Sequence, residues 1–180
     1  MSEKRLRNIA IWYSDRYLVS SAKLTNHLDR RLLRDVKDSE ERAGYTKLIP
    51  EIVAELVALG FVNDREAASA RLRAVLRSGY ASEAAVRMTS RETMVDPTIV
   101  AAELKGALTQ TLPQLVNNDT TSDDRAKEQA VLALKRSRRG PFRSQPQDIK
   151  SHRRDAGWLQ RRGFSLNAAR YALGVDLIEE

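Results

Sequence analysis

Leu48, Ile49, Ile52, Val53, Leu56 and Leu59 recur three and four positions apart, and Gly60 follows them. This spacing places all six on one stripe of an α-helix that stops at the glycine. The period returns in Leu72, Val75 and Leu76, with Arg71, Arg73 and Arg77 around the other side and Gly79 at the end. A further helix opens at Asp96, with Pro97 in the first turn where proline is tolerated, and runs through Ile99, Val100 and Leu104 to Leu108. Ala130, Val131 and Leu134 mark another. No stretch alternates as a half-buried strand would, so the pattern predicts an all-α chain of about nine helices.

Three helix starts look alike. Tyr45 precedes Thr46, Val95 precedes Asp96 and Phe164 precedes Ser165, with Ile49, Ile99 and Ala168 three positions after each capping residue. A capping oxygen takes an orphan N–H, and the flanking apolar pair can staple the first turn. Pro50 disturbs the first copy and moves that helix start toward Ile49. Repetition on this scale predicts an elongated array of tandem three-helix repeats, each too small to bury its own face alone. The expected division is repeat 1 over 1–60, repeat 2 over 61–112, a polar linker over 113–124, and a strongly basic repeat 3 over 125–176. Within the third, Ser137 to Gln147 reads as an extended basic loop.

Composition supports a packed protein: of 180 residues, 42% are hydrophobic and 31% charged. Cysteine is absent, which removes disulfides, thiol nucleophiles and Cys-ligated zinc. Asp15 and Arg16 interrupt the apolar stretch near the start, so no signal peptide is expected, and no window approaches a membrane span. The expectation is a cytoplasmic protein with no membrane association.

Charge sharpens the picture. Twelve basic residues and three acids lie between Arg125 and Arg162, a local net of +9 against +7 for the whole chain. A merely solubilising coat would be spread evenly; this concentration points to an anionic partner. Arg153, Arg154, Arg161 and Arg162 are assigned to one helix, with Arg154 and Arg161 on one face and Trp158 between them. Trp158 is either core or a stacking platform for an unpaired base.

Catalytic patterns are missing. His27 and His152 share no metal-binding spacing and read as surface imidazoles, and no phosphate loop, zinc-protease or nucleophile-elbow motif occurs. Asn63 with Glu66 reads as a capping pair, and Asp123–Asp124 as acids at a helix start. No enzyme, cofactor or metal site is expected.

The ending "WLQRRGFSLNAARYAL", Trp158 to Leu173, resembles the C-terminal pattern of the bacterial regulatory RecX family. "VAELVALGFVNDREAASARLRAVLRSG", Val53 to Gly79, and "ALKRSRRGP" from Ala133 resemble other segments of it, so the likeness spans roughly 5–175. In the middle repeat the chain keeps Gly79, Arg87 and Arg91 but has no glycine before Val95. The resemblance implies tandem three-helix repeats and a regulator that lies in the groove of the RecA filament on single-stranded DNA. Such proteins inhibit strand exchange, ATP hydrolysis and co-protease activity. The expected partners are the RecA filament and single-stranded DNA, and the expected state is a monomer. The candidate contact residues are Arg71, Arg77, Arg87, Arg138, Arg139, Arg153, Arg154, Arg161 and Arg162. The rival is a helical DNA-binding transcriptional regulator acting without RecA, for which Asn167 and Arg170 are the base-reading candidates. A helical scaffold for an acidic protein is a third reading.

Overall fold

The computed structural model describes residues 1–116, 121–144 and 148–174. Parts of the linker, the basic loop and the end of repeat 3 assigned from the sequence lie outside them. Among the described residues the chain is all-α, with eleven α-helices and two one-turn 3-10 segments, Pro113–Leu115 and Gly140–Phe142. The helices are α1 (Glu3–Arg16), α2 (Ser21–Asp35), α3 (Ser39–Thr46), α4 (Ile49–Ala58), α5 (Asp64–Arg77), α6 (Ser82–Thr93), α7 (Pro97–Ala102), α8 (Leu104–Thr111), α9 (Ser122–Arg136), α10 (Ile149–Arg161) and α11 (Leu166–Leu173).

The count exceeds nine because helices expected to be continuous are interrupted. Pro50 cannot donate to Thr46, and its ring crowds that carbonyl, so α3 ends at Thr46 and α4 begins at Ile49. Thr46 is therefore not a cap: its hydroxyl donates back to the Arg42 carbonyl at 3.1 Å. The other two matching starts do form. Asp96 accepts from the Thr98 N–H at 2.8 Å and Ser165 from the Ala168 N–H at 3.1 Å. Asn63 accepts from the Glu66 N–H at 3.1 Å, the capping contact its spacing suggested. Asp123 and Asp124 stand in the first turn of α9 behind the Thr121 cap.

Buried side chains fall into three clusters. Leu6, Leu24, Leu28, Leu32, Ile52 and Leu56 bind α1, α2 and α4 together. Leu59 leaves the predicted stripe and is 62% exposed, because it is the capping residue beyond the last turn of α4. Leu72, Leu76, Val100, Leu108 and Leu115 join α5, α7, α8 and the following 3-10 turn. Leu134, Trp158, Leu159, Phe164 and Leu173 join α9, α10 and α11. Each fully buried leucine contributes about 2 kcal/mol of transfer free energy.

Polar contacts stitch adjoining clusters. Between the first two, the Ser21 N–H and hydroxyl both donate to Asp64 Oδ1, at 2.6 and 3.0 Å, and the Ser20 hydroxyl donates to the Thr93 carbonyl. Between the second and third, buried Gln129 donates to the Tyr80 carbonyl at 2.9 Å. It also accepts from the N–H and hydroxyl of Ser82. The Ala81 N–H donates to the Arg162 carbonyl at 3.0 Å.

Candidate nucleoprotein-binding face

The last basic segment is organised around α10. Asp148 and Ser151 cap it reciprocally: the Ser151 N–H donates to Asp148 Oδ1 at 2.6 Å, and the Asp148 N–H donates to Ser151 Oγ at 3.0 Å. Ser151, Asp155, Trp158 and Leu159 face inward, while Arg153, Arg154 and Arg161 are exposed. Trp158 is thus on the packed side rather than between Arg154 and Arg161 on an open face. It is only 8% exposed, with Arg162 at 3.8 Å and Arg139 at 5.1 Å from its ring centre. It takes the core alternative, because a base cannot reach a ring this buried beneath the Arg162 and Arg139 guanidinium groups.

Asp155 is the feature that composition conceals. It is fully buried and accepts from Arg139 Nη1 at 2.9 Å, the Gly140 N–H at 2.8 Å, and Arg143 Nε and Nη2 at 2.9 and 2.7 Å. Burial pushes its pKa up, but the Arg143 fork, the Gly140 N–H and Arg139 outweigh that and hold it at about 2. The loop after α9 is therefore folded onto α10, and two of its arginines share one carboxylate. The sequence signal was present: Asp155 lies four residues after Ser151 and three before Trp158, on the buried stripe. An acid there needs partners.

The nine candidate arginines separate by environment. Arg139 pairs with Asp155, and half-buried Arg162 packs on Trp158 and on Tyr80, 5.2 Å from the Tyr80 ring centre. Burial lowers the Arg162 pKa, Tyr80 partly offsets this, and Arg139 and Arg161 add to the lowering. Arg162 remains a cation because its ordinary value is so high. Arg71 pairs with Glu92 between α5 and α6, and Arg87 lies 3.7 Å from Glu83 one turn away. Arg77, Arg138, Arg153, Arg154 and Arg161 are exposed, and their side chains make no ion pair with described residues.

Several of these groups converge. The carboxyl ends of α5, α9 and α10 meet where Gly79 lies against Ala133 and Trp158. Arg136 Nη1 donates to the Arg77 carbonyl at 2.6 Å. Arg138 stands beside Arg139, and Arg161 beside Arg162. Basic side chains at helix carboxyl ends complement the helix dipoles. That favours placing cations there, and the exposed members still project a positive field into solvent. Arg153 and Arg154 extend the same charge about 10 Å back along α10.

His27 stacks on Tyr13, ring centres 3.7 Å apart, so it is half-buried rather than a free surface imidazole. Burial, then Arg31 and Arg34, lower its pKa. Among the described residues no three His, Cys, Asp or Glu side chains gather as a metal site, and no helix is long and apolar enough to cross a membrane.

Fold and face together define an all-helical array with a cationic end. No family model matches the chain. Regulatory protein RecX of Myxococcus xanthus is 28% identical over 172 residues, covering 94% of this chain and 84% of that protein. The crystal structure of RecX from Lactobacillus salivarius superimposes with a TM-score of 0.60 at 19% identity, across 98% of this chain and 97% of that one. The resemblance to RecX read from the sequence is thus borne out, and the helical-repeat architecture is shared.

Proposed function

We propose that this chain is a regulator of RecA that binds the filament on single-stranded DNA and inhibits its recombinase, ATPase and co-protease activities. The observation that carries the reading is a group of exposed arginines, with no ion pair among the described residues, on the third cluster of a RecX-like helical array and on the adjoining carboxyl end of α5. It comprises Arg77, Arg138, Arg153, Arg154 and Arg161. In this reading the three helical clusters form a curved rod, with Pro113–Leu115 packed on the second and Ser122 opening the third. The rod occupies the filament groove as a cytoplasmic monomer without a cofactor. Inhibition follows from occupancy of the groove, and attraction to the phosphate backbone supplies much of the affinity. Arg139 and Arg162 support the face from beneath. Arg71 and Arg87 contribute less, because each already faces a carboxylate.

The test is RecA ATPase and strand exchange on single-stranded DNA with added protein, at low and high salt. Inhibition should weaken as salt rises. The Arg153→Ala, Arg154→Ala, Arg161→Ala triple variant should need more protein for the same effect while keeping its helicity. No effect of the parent protein at several-fold excess refutes the proposal. The transcriptional alternative is less well supported, since Asn167 is held by Asp123 at 3.3 Å. Sequence-specific footprints without RecA would favour it instead.

A further inference from the structure

A second site lies where α1 faces α5. Trp12 and Tyr17, on the last turns of α1 and just beyond, are 58% and 46% exposed. The Arg16 guanidinium lies over both rings, 5.6 and 6.0 Å from their centres. Tyr17 continues to Tyr13 at 5.0 Å, and Tyr13 to His27 at 3.7 Å. The result is a ladder of neighbouring rings with a cation beside it, running from solvent inward, with Tyr17 tilted 48° to Tyr13 and Tyr13 stacked on His27. Beside it opens a groove of about 550 Å³ between α1 and α5. Tyr13, Tyr17 and Leu18 form one wall, Ala67, Ala70 and Ala74 the other, and Lys23 and Arg71 line it as well. Glu92 also lines the groove, but Arg71 neutralises it. Lys23 is exposed and makes no ion pair with described residues.

Exposed large rings cost solvation free energy unless something covers them. Their neighbours narrow the choice of cover. A cation set among π-faces, with a further amine at the mouth of an otherwise small-residue groove, suits a ligand that alternates flat rings with negative charges. An apolar protein segment would use Leu18 and the alanine wall but would leave Arg16 and Lys23 without complementary charge. We infer that the Trp12–Arg16–Tyr17 ladder and its adjoining groove bind unpaired nucleobases of single-stranded DNA, with Arg16 and Lys23 on the phosphates. This rests on the proposed function in its choice of nucleic acid and adds a contact outside the third repeat.

The probe is oligo-dT without RecA. Trp12 is exposed and Trp158 buried, so stacking should quench the Trp12 emission as the oligonucleotide is titrated, and Trp12→Phe should remove most of that change. Trp12→Ala should weaken oligo-dT binding by about 5- to 150-fold, the range for losing one stacked base, with an unchanged thermal midpoint. Arg16→Gln and Lys23→Gln should each lower the salt slope by about 0.7. Unchanged affinity in Trp12→Ala, with the Arg153/Arg154/Arg161 variant still weakened, overturns this site and leaves the basic end intact. Loss of RecA inhibition in Trp12→Ala without loss of oligo-dT binding also overturns it, in favour of a protein contact. Failure of the parent protein to affect RecA, with Trp12-dependent binding to oligo-dT, overturns the proposed function and not this site.

Discussion

Replacing Asp155 by Asn tests whether the basic loop is anchored as described. The substitution keeps the shape and removes the charge. A folded-state pKa of about 2, against 3.8 for an unstructured aspartate, corresponds to about 2 kcal/mol of stability at neutral pH. The Asn amide also turns donors toward two guanidinium groups and leaves the Gly140 N–H competing for one oxygen. Against this, the Arg139 and Arg143 side chains are 34% and 26% exposed and can swing toward water. The loss should therefore be about 2–3 kcal/mol, below the 3–5 of a wholly buried pair. Urea unfolding followed by far-UV circular dichroism at pH 7 measures it. The sign with pH is fixed: a depressed carboxyl stabilises fully above the unfolded value of 3.8 and loses that contribution as pH falls through about 2. The gap between parent and variant should be constant from pH 7 to 5 and about half as large at pH 3. A variant within about 0.5 kcal/mol of the parent at pH 7, or a gap that ignores acid, refutes the account.

Gly163→Ala and Gly60→Ala form a matched pair. Both glycines have positive φ, +84° and +79°, but a Cβ on Gly163 would strike Ala84 Cβ while one on Gly60 meets nothing. Calorimetry should show about 1 kcal/mol lost at Gly60 and about 2–4 at Gly163; equal losses would mean the α6–α10 approach is loose. Arg138 closes α9 with φ +50°, where glycine is usual, so Arg138→Gly should raise stability by about 0.5–1 kcal/mol while weakening filament binding. Leu159, fully buried in the third cluster, should cost about 2–5 kcal/mol as Leu159→Ala in the same unfolding assay.

The fold was largely legible because helical period and capping are local. Asp96 and Ser165 cap as their neighbours suggested, and the stripe Leu72, Val75, Leu76 is buried as spaced. The misreadings arise where one local rule outranks another. Thr46 has the right neighbours for a cap, but Pro50 four residues later removes the hydrogen bond that would let a helix start there. The break between α7 and α8 at Glu103 has no comparable marker. Glu103 stays in a right-handed helical conformation, and nothing in its identity announces the interruption.

The candidate site was less legible because counting charges does not say what each charge faces. The local excess of basic residues is real, yet Arg139 and Arg143 belong to Asp155, and Arg162 to Trp158 and Tyr80. These contacts join residues up to 82 positions apart, beyond the reach of any window along the chain. Burial is what separates the two kinds of arginine. A half-buried guanidinium that packs on a buried aromatic ring or meets a buried acid has already exchanged water for protein, and pulling it away to hold a phosphate forfeits that exchange. One that is exposed and unpaired loses only solvent and counterions, whose release favours binding. Arg153, Arg154 and Arg161 should therefore carry the salt dependence of filament binding. Changes at Arg139 or Arg162 should register first as lost stability. An Arg162→Ala variant that keeps its thermal midpoint but loses as much salt-sensitive affinity as Arg161→Ala would show that the division by burial is mistaken.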